Sequence, residues 1–271
     1  MLVEFAPAKI NLALHLRRRR PDGYHDLETI FAFTAFGDSL AAAPADALSL
    51  QVKGPFAALA GVGDDNLVLR AARALAQAAG VEAGAALVLD KHIPVAAGLG
   101  GGSADAAAAL RLMARLWQLD WPAARLEALA ATLGADVPAC VQSRTVFGSG
   151  RGDALAPWPD SLAGTPVLLV NPGVAVPTGP VFAGWDRQDR GGIIASAPLP
   201  ALRNDMTAAA LHIAPVIGDV LAALAATGPA LARMSGSGAT CLALYGDAGA
   251  RDAAAAAIAT HGWWQAATVI R

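Results

Sequence analysis

The segment Pro94-Val95-Ala96-Ala97-Gly98-Leu99-Gly100-Gly101-Gly102-Ser103-Ala104-Asp105 places four glycines within five residues and leads into an alanine-rich run to Leu110. Glycines let the backbone take positive φ and bring its amides close to a ligand with no Cβ in the way. Ser103 stands where an N-cap is expected. The helix predicted from Ala104 to Leu116 turns Leu110, Met113 and Leu116 toward a core. The free N–H groups and positive dipole end of such a helix attract an anion, above all a phosphate. A glycine-rich turn that only caps a helix has the same composition, so the loop by itself leaves both readings open. The better-known nucleotide loops do not fit: a Walker loop ends in Gly-Lys-Ser/Thr, absent here, and a dinucleotide fingerprint counted from Gly98 needs glycine where Ser103 stands.

Composition narrows the partners. The chain has 271 residues, enough for a large core in one domain or two lobes, and a formal net charge of −2, which argues against a nucleic-acid scaffold. Cys140 and Cys241 are the only cysteines, too few for a disulfide framework or a zinc cluster, and the cytoplasm is the expected compartment. Glu4, Lys9 and Asn11 interrupt the apolar N-terminal residues, which lack the order of a signal peptide, and no run is long and apolar enough to span a bilayer. The run Arg17 to Arg20 reads as a solvated strand edge, so neither nucleic acid nor membrane is expected as a partner.

Several elements must position the loop. Ile10, Leu12, Leu14 and Leu16 alternate with Asn11, Ala13 and His15, the period of a half-buried strand. Pro21-Asp22-Gly23 turns the chain into a second strand from about Leu27 to Phe36, and Leu48 to Val52 makes a third. Asp64, Asp65 and Asn66 offer N-caps to a helix ending at Gly80. A strand from Ala86 to Ile93 enters the glycine loop. Helices at Ser103 to Leu119 and Pro122 to Leu133 come next, then Gly134-Ala135-Asp136-Val137-Pro138 and a short strand at Thr145 to Phe147. Gly148 to Gly152 is expected to be a flexible loop, and Pro157 to Pro166 a lobe boundary. Beyond it the pattern predicts a strand at Val167 to Val170, helices near Thr178 to Trp185 and Thr207 to Ala226, strand–loop–strand from Ala232 to Tyr245, and a last helix and strand. Mixed strands and helices with several hairpins make the class α+β rather than a doubly wound sheet.

Three motifs in fixed order, Pro7-Ala8-Lys9-Ile10-Asn11-Leu12, the Gly98 to Ser103 loop and Met234-Ser235-Gly236-Ser237-Gly238-Ala239, resemble those of the GHMP kinases. The resemblance spans nearly the whole chain. It implies a two-lobed fold, with an N-terminal ribosomal-protein-S5-domain-2-like lobe carrying the ATP phosphate loop over residues 1–156 and a C-terminal ferredoxin-like α/β sandwich lobe over residues 157–271. Arg20-Pro21-Asp22-Gly23-Tyr24-His25 and Leu133-Gly134-Ala135-Asp136-Val137-Pro138 resemble the branch that phosphorylates a cytidine-diphosphate alcohol in non-mevalonate isoprenoid biosynthesis. That branch transfers a phosphoryl group from ATP to the 2-hydroxyl of its small-molecule substrate, giving the 2-phosphate and ADP.

Phosphoryl transfer asks for alignment and charge stabilisation, so a loop of amides, a cation and one proton acceptor could suffice. Asp136, on a stiff turn between Gly134 and Pro138, is the expected acceptor of the hydroxyl proton, although aspartate there could equally cap the following segment. Lys9, one of three lysines in the chain, would hold Asp136 ionised and offset charge on the transferring group. Asn11 would bind substrate or orient Lys9. Tyr24 offers a face for a pyrimidine and His25 a donor and an acceptor for a cytosine edge. The resemblance carries Phe182 over as a second stacking residue and Thr178 as a substrate contact, and it marks Asn66 as an adenine contact, although Asn66 could as well cap a helix. Lys91, Pro94, Gly98, Leu99, Gly100, Gly101, Gly102 and Ser103 complete the expected ATP site. Ser103 is a candidate Mg²⁺ ligand, whereas the helix dipole accounts for Asp105. The expected cofactors are ATP and Mg²⁺, and the oligomeric state is left between a monomer and a weak homodimer.

Two departures from the family pattern stand out: Asp153 replaces an expected glutamate in Gly150-Arg151-Gly152-Asp153, and Asn204-Asp205-Met206-Thr207 lacks the usual acidic residue near its end. A kinase for another small alcohol and a non-catalytic nucleotide sensor remain as alternatives. Tyr24, His25 and Phe182 argue against the first, and Lys9 with Asp136 against the second.

Overall fold

Two long strands, β1 (Leu2–Arg19) and β2 (His25–Ala45), open the chain and pair with each other. The turn between them is closed by Arg20 N–H donating to the Tyr24 carbonyl at 2.8 Å, and Gly23 takes a φ of +88° that a side chain would strain. The computed structural model describes residues 1–159 and 162–271, so part of the expected boundary at Pro157 to Pro166 lies outside the described residues. Contacts divide the chain into two compact units interleaved along the sequence.

The first unit takes in Met1–Lys9, Gly37–Val95 and Gly100–Ser143. After the end of β2 come β3 (Ser49–Lys53), the single turn α1 (Ala57–Ala60), α2 (Leu67–Ala79) and β4 (Gly84–Asp90). β4 runs antiparallel to Ser39–Ala45 of β2 and parallel to β3, and α2 makes the crossover between the parallel pair. Asn66 caps α2 and Gly80 ends it in the left-handed conformation, as their residue types predict. Then follow α3 (Gly101–Leu116), α4 (Ala123–Ala130) and α5 (Val137–Gln142). α3 begins two residues before Ser103, with Gly100 at the N-cap in the left-handed region, so the expectation of Ser103 as cap is corrected. Glycine does this work because no L side chain sits easily at φ +60°.

The second unit holds Ile10–Phe36, Ala96–Leu99 and Arg144–Arg271. The hairpin β5 (Val146–Gly150) and β6 (Ala154–Pro157) lies along β2, with Leu27 opposite Gly150 and Phe31 opposite Val146. Gly148 and Gly150 therefore belong to a strand rather than to the expected flexible loop. A Cβ on Gly148 would lie 2.8 Å from a ring carbon of Phe31, so close packing explains that glycine. The rest is β7 (Pro166–Asn171), α6 (Thr178–Ala183), α7 (Thr207–Ile213), α8 (Val216–Ala226), β8 (Leu231–Met234), β9 (Cys241–Leu244), α9 (Ala248–Ile258) and β10 (Trp264–Val269). The sheet order β10-β7-β9-β8, antiparallel throughout, is the ferredoxin-like order the resemblance implies. Pro215 splits the single helix expected from Thr207 to Ala226, because it cannot donate the interior hydrogen bond. Leu168, Val170, Ile217, Val220, Leu224 and Met234 are buried in this unit's core.

The alternation expected in β1 is not realised. Residues 6–16 are all buried, Asn11 and His15 as deeply as Ile10 and Leu12. Both polar side chains are satisfied inside: Asn11 Nδ2 donates to Thr29 Oγ1 at 2.8 Å, and His15 Nδ1 lies 3.2 Å from the Gly191 carbonyl while Nε2 accepts from Arg203 N–H. The Arg17 to Arg20 run makes ion pairs to Glu28, Asp189, Asp26 and Asp22, as a solvated strand edge does. Among the described residues no helix is long and apolar enough to cross a membrane.

Candidate active site

In the first unit, Lys9 Nζ lies 2.9 Å from Asp136 Oδ2. The lysine side chain is only 5% exposed and the aspartate 37%, so the pair has a protein side and a solvent side. Asp136 precedes α5 at the N-cap position yet makes no side-chain cap bond, which leaves its carboxylate to Lys9 and to solvent. Arg111 of α3 holds the two ends together: its Nε donates to Glu4 of β1 at 2.8 Å, and its other nitrogens donate to the carbonyls of Phe5 at 3.0 Å and Cys140 at 2.8 Å. Strand and turn, far apart in sequence, thus bring a cation and a carboxylate into contact. Gly100 makes room beside them, since a Cβ there would fall 2.7 Å from Lys9 Cε.

The glycine loop is held separately at its two ends. Its second half opens α3, whose first turn closes with Ala104 N–H donating to the Gly100 carbonyl, so the amides of Gly101, Gly102 and Ser103 have no helical acceptor. The Ser103 hydroxyl is half-buried and bonds no protein group among the described residues. The first half of the loop belongs to the second unit. There Ser235 Oγ donates to the Gly98 carbonyl at 2.8 Å and itself accepts from Asn11 N–H at 3.1 Å. A Cβ on Gly98 would lie 2.5 Å from the Ser235 carbonyl oxygen, and Gly98 has φ +76°. Asn204 Nδ2 bridges the carbonyls of Met234 and Gly236, each at 2.8 Å, fixing the Met234 to Ala239 motif. Asp205, in the segment that departs from the family pattern, accepts from Leu16 N–H and pairs with Arg203.

Lys91 requires a correction. Its ammonium is 3–4% exposed and lies 2.5 Å from Asp38 and 2.6 Å from Asp105, beneath the loop rather than open to a nucleotide. Asp105 is likewise buried in this cluster, where the helix-dipole account did not place it. Asn66 uses its whole amide in the protein: Oδ1 accepts from Val68 N–H, and Nδ2 donates to the carbonyls of Ala60 and Gly61.

The second unit carries a cleft of about 320 Å³ lined by Tyr24, His25, Thr178, Phe182, Trp185 and arginines 19, 151 and 187. Tyr24, His25 and Phe182, expected to meet the substrate's base, therefore share one cavity with Thr178, the expected substrate contact. The His25 ring stacks on Phe182, centroids 4.9 Å apart, and meets Trp185 edge-on at 5.7 Å. Burial, and the charge of Arg19 after it, hold the His25 pKa below its ordinary value, so the ring is neutral at pH 7 and keeps one donor and one acceptor. Tyr24 is 53% exposed, with the Arg151 guanidinium 5.2 Å from its ring centre. Arg151 is in turn paired with Asp153, the second departure from the family pattern. Thr178 Oγ1 is 3.0 Å from Ser237 Oγ. Asn11 is 2% exposed; its side-chain Nδ2 donates to Thr29, and its backbone N–H donates to Ser235. The sequence motifs do not single out Trp185, although it stands three residues after Phe182 at helical spacing.

The loop, the lysine–aspartate pair and the ferredoxin-like sheet together define a GHMP kinase, and family models agree: GHMP kinases N terminal domain matches residues 66–144 and GHMP kinases C terminal matches residues 199–262. The chain is 57% identical to a 4-diphosphocytidyl-2-C-methyl-D-erythritol kinase of Rhizorhabdus wittichii, over 99% of this chain and 94% of that protein. It is 52% identical to the kinase of the same name from Novosphingobium aromaticivorans, covering 100% and 93%. A crystal structure of 4-(cytidine 5'-diphospho)-2C-methyl-D-erythritol kinase superposes with a TM-score of 0.85 at 33% identity, covering 99% of both chains. The homoserine kinase from Cytophaga hutchinsonii shares the fold, with a TM-score of 0.74 at 17% identity and coverage of 99% and 95%. The chain belongs to the 4-diphosphocytidyl-2-C-methyl-D-erythritol kinase family of the GHMP kinase superfamily.

Proposed function

We propose that the chain transfers the γ-phosphoryl group of ATP to the 2-hydroxyl of 4-diphosphocytidyl-2-C-methyl-D-erythritol, giving the 2-phosphate and ADP in the non-mevalonate route to isoprenoid precursors. The observation that carries this reading is the Lys9–Asp136 pair beside Gly100 of an amide-lined helix start. Asp136 takes the proton of the attacking hydroxyl, or orients that hydroxyl as the P–O bond forms. Lys9 keeps Asp136 ionised and offsets charge on the transferring group. The amides of Gly101, Gly102 and Ser103, with the positive end of α3, hold phosphate oxygens, and Pro94, Gly98, Leu99 and Gly100 shape the approach.

The aromatic cleft takes the cytidine end of the substrate. Tyr24 and Phe182 supply faces for the base, neutral His25 reads its edge, and Thr178 contacts the sugar side of the ligand. Asn11, two residues after Lys9 on β1 and held by Thr29, orients that lysine rather than binding substrate. Ser103 would hold Mg²⁺ through its hydroxyl, which bonds no protein group among the described residues. When bound it neutralises charge that develops on the β- and γ-phosphates. Asp105 is unsuited to hold it, because its carboxyl is buried and its Oδ2 is paired with Lys91. Residues 1–156 and 157–271 serve as the two lobes in sequence, with one family match on either side, although the compact units interleave and group residues 10–36 and 144–156 with the C-terminal half. Two buried free cysteines suit the cytoplasm.

A panel of alcohols with ATP and Mg²⁺, read by ADP release, tests the reading. The cytidyl compound should be turned over far faster than homoserine, mevalonate or methylerythritol phosphate lacking the nucleotide. Equal rates with and without the cytidyl group would remove the base cleft from the function, and no ADP release with any alcohol would leave a nucleotide sensor.

A further inference from the structure

Beneath the glycine loop, three charged side chains that the phosphoryl-transfer step does not use form a closed knot in the first unit. Lys91 Nζ lies 2.5 Å from Asp38 Oδ2 and 2.6 Å from Asp105 Oδ2, and all three side chains are at most 5% exposed. Asp38 does more than pair. Its Oδ1 accepts the backbone N–H groups of His92, at 2.5 Å, and Ile93, at 2.8 Å, the residues just before Pro94. Asp105 sits in α3, one turn after its first residue Gly101. A single ammonium therefore joins the strand entering the loop to the helix leaving it.

Gly101, the first residue of α3, rests directly on this knot. A Cβ there would lie 2.9 Å from Lys91 Nζ and 3.0 Å from Ile93 Cγ2. Gly101 has helical rather than positive φ, so what it needs is space above the ammonium, not conformational freedom. Gly98 and Gly100 are the loop glycines with positive φ.

We infer that the Asp38–Lys91–Asp105 knot is the positioning device for the ATP phosphate loop: it fixes the first turn of α3, and with it the direction of the amides of Gly101, Gly102 and Ser103, without touching the nucleotide. This inference rests on the loop's role as the phosphate site. Asp38, held by two amides and an ammonium, is the fixed corner. Asp105 is tied by the ammonium alone, its Oδ1 buried and without a hydrogen-bond partner among the described residues. Burial raises the Asp105 carboxyl to about 8, against the opposing pull of Lys91 and with the charge of Asp38 adding to the rise. Asparagine is a close mimic in shape, since the amide oxygen introduced by Asp105→Asn can still accept from the Lys91 ammonium.

The test compares Asp105→Ala with Asp105→Asn in the full chain, measuring ATP affinity by calorimetry, the KM for each substrate, and kcat. Loss of the tie in Asp105→Ala should weaken ATP by about tenfold or more while the KM for the cytidyl substrate stays within about twofold, and Asp105→Asn should remain close to the parent. Unchanged ATP affinity in a folded Asp105→Ala protein would overturn the inference, as would a parallel rise in both KM values or an asparagine variant as poor as the alanine one. Should Asp105→Ala not fold, Asp105→Ser, whose hydroxyl is too short to reach the ammonium, is read in the same way. Failure of both to fold would make the knot a purely structural core and also overturn the inference. Parent protein that bound no ATP would instead overturn the loop's role as the phosphate site, and the inference with it.

Discussion

Lys9 and Lys91 both meet aspartate within 3 Å in the same unit, but their surroundings separate them. Lys9 is buried against a carboxylate that keeps 37% of its surface open, whereas Lys91 faces two carboxylates that are closed off almost completely. An ion pair with one open partner can receive a substrate hydroxyl. One closed on every side can only hold other parts in place. Lys53, the remaining lysine, is 60% exposed beside Asp90 and shows the third condition, a solvated surface pair worth little to stability. Between the two buried lysines the partner's exposure makes the difference, and between Lys9 and Lys53 the lysine's own.

The sharpest way to break this contrast is at the open end. Asp136→Asn keeps the size of the side chain and a hydrogen-bond acceptor for Lys9 but cannot take a proton, so kcat should fall by about 10² to 10⁴-fold with little change in either KM. Asp136 makes no cap bond, so the melting temperature should hardly move. Steady-state kinetics on folded protein decide the matter, and near-parent turnover would return Asp136 to a structural role.

Exchanging the lysines comes next. Lys91→Met would leave Asp38 and Asp105 facing one another in the interior without a cation, a change that costs about 3–5 kcal/mol when a buried pair is broken from one side. Lys9→Met leaves only Asp136, which can turn to water, and should shift stability by about 1 kcal/mol or less while lowering kcat steeply. Denaturant melts of the two variants set side by side test the contrast. Equal losses of stability would erase it.

Sequence and structure agree where the signal is local. The glycine loop, the turn at Pro21-Asp22-Gly23, the Asn66 cap and the Gly80 stop are each set by residues adjacent to the feature they specify, and all are in place. Lys9, Asp136, Tyr24, His25 and Phe182 could be named because their short motifs match a family. The Asp38–Lys91 contact spans 53 residues, and nothing near either residue announces it. The same holds for β1, whose polar and apolar residues alternate as if one face were wet. Thr29, Ser235, Gly191 and Arg203 bond its inward polar groups, and none of those partners is visible from the strand itself. Gly148 and Gly150 misled in the other direction: glycine suggested flexibility, but at Gly148 it marks close approach to a phenylalanine ring.

The aromatic cleft repeats the open-and-closed contrast on a smaller scale. Phe182 is packed against His25, while Tyr24 stands half in solvent under Arg151. Replacing either by leucine should cost about 1 to 3 kcal/mol of affinity for the cytidyl substrate, with Phe182→Leu toward the upper end because it also releases the His25 ring. Binding of the substrate and of its nucleotide-free fragment, measured by calorimetry, checks this. Equal losses for both ligands would mean that the rings shape the protein rather than grip a base.

The smallest effect expected concerns Asn66, where a ligand role and a scaffold role compete for one side chain. Its oxygen already accepts from Val68 N–H, and its nitrogen already donates to Ala60 and Gly61, so an adenine contact has to displace bonds that exist. Asn66→Ser separates the roles, because a serine hydroxyl caps a helix about as well as an asparagine oxygen but supplies no amide for a purine edge. If Asn66 is scaffold, Asn66→Ser should keep stability and ATP affinity, while Asn66→Ala loses about 1 kcal/mol of stability and leaves ATP affinity near the parent value. A fall in ATP affinity of about tenfold or more in the serine variant, with its melting temperature unchanged, would move Asn66 from the frame of α2 into the nucleotide site.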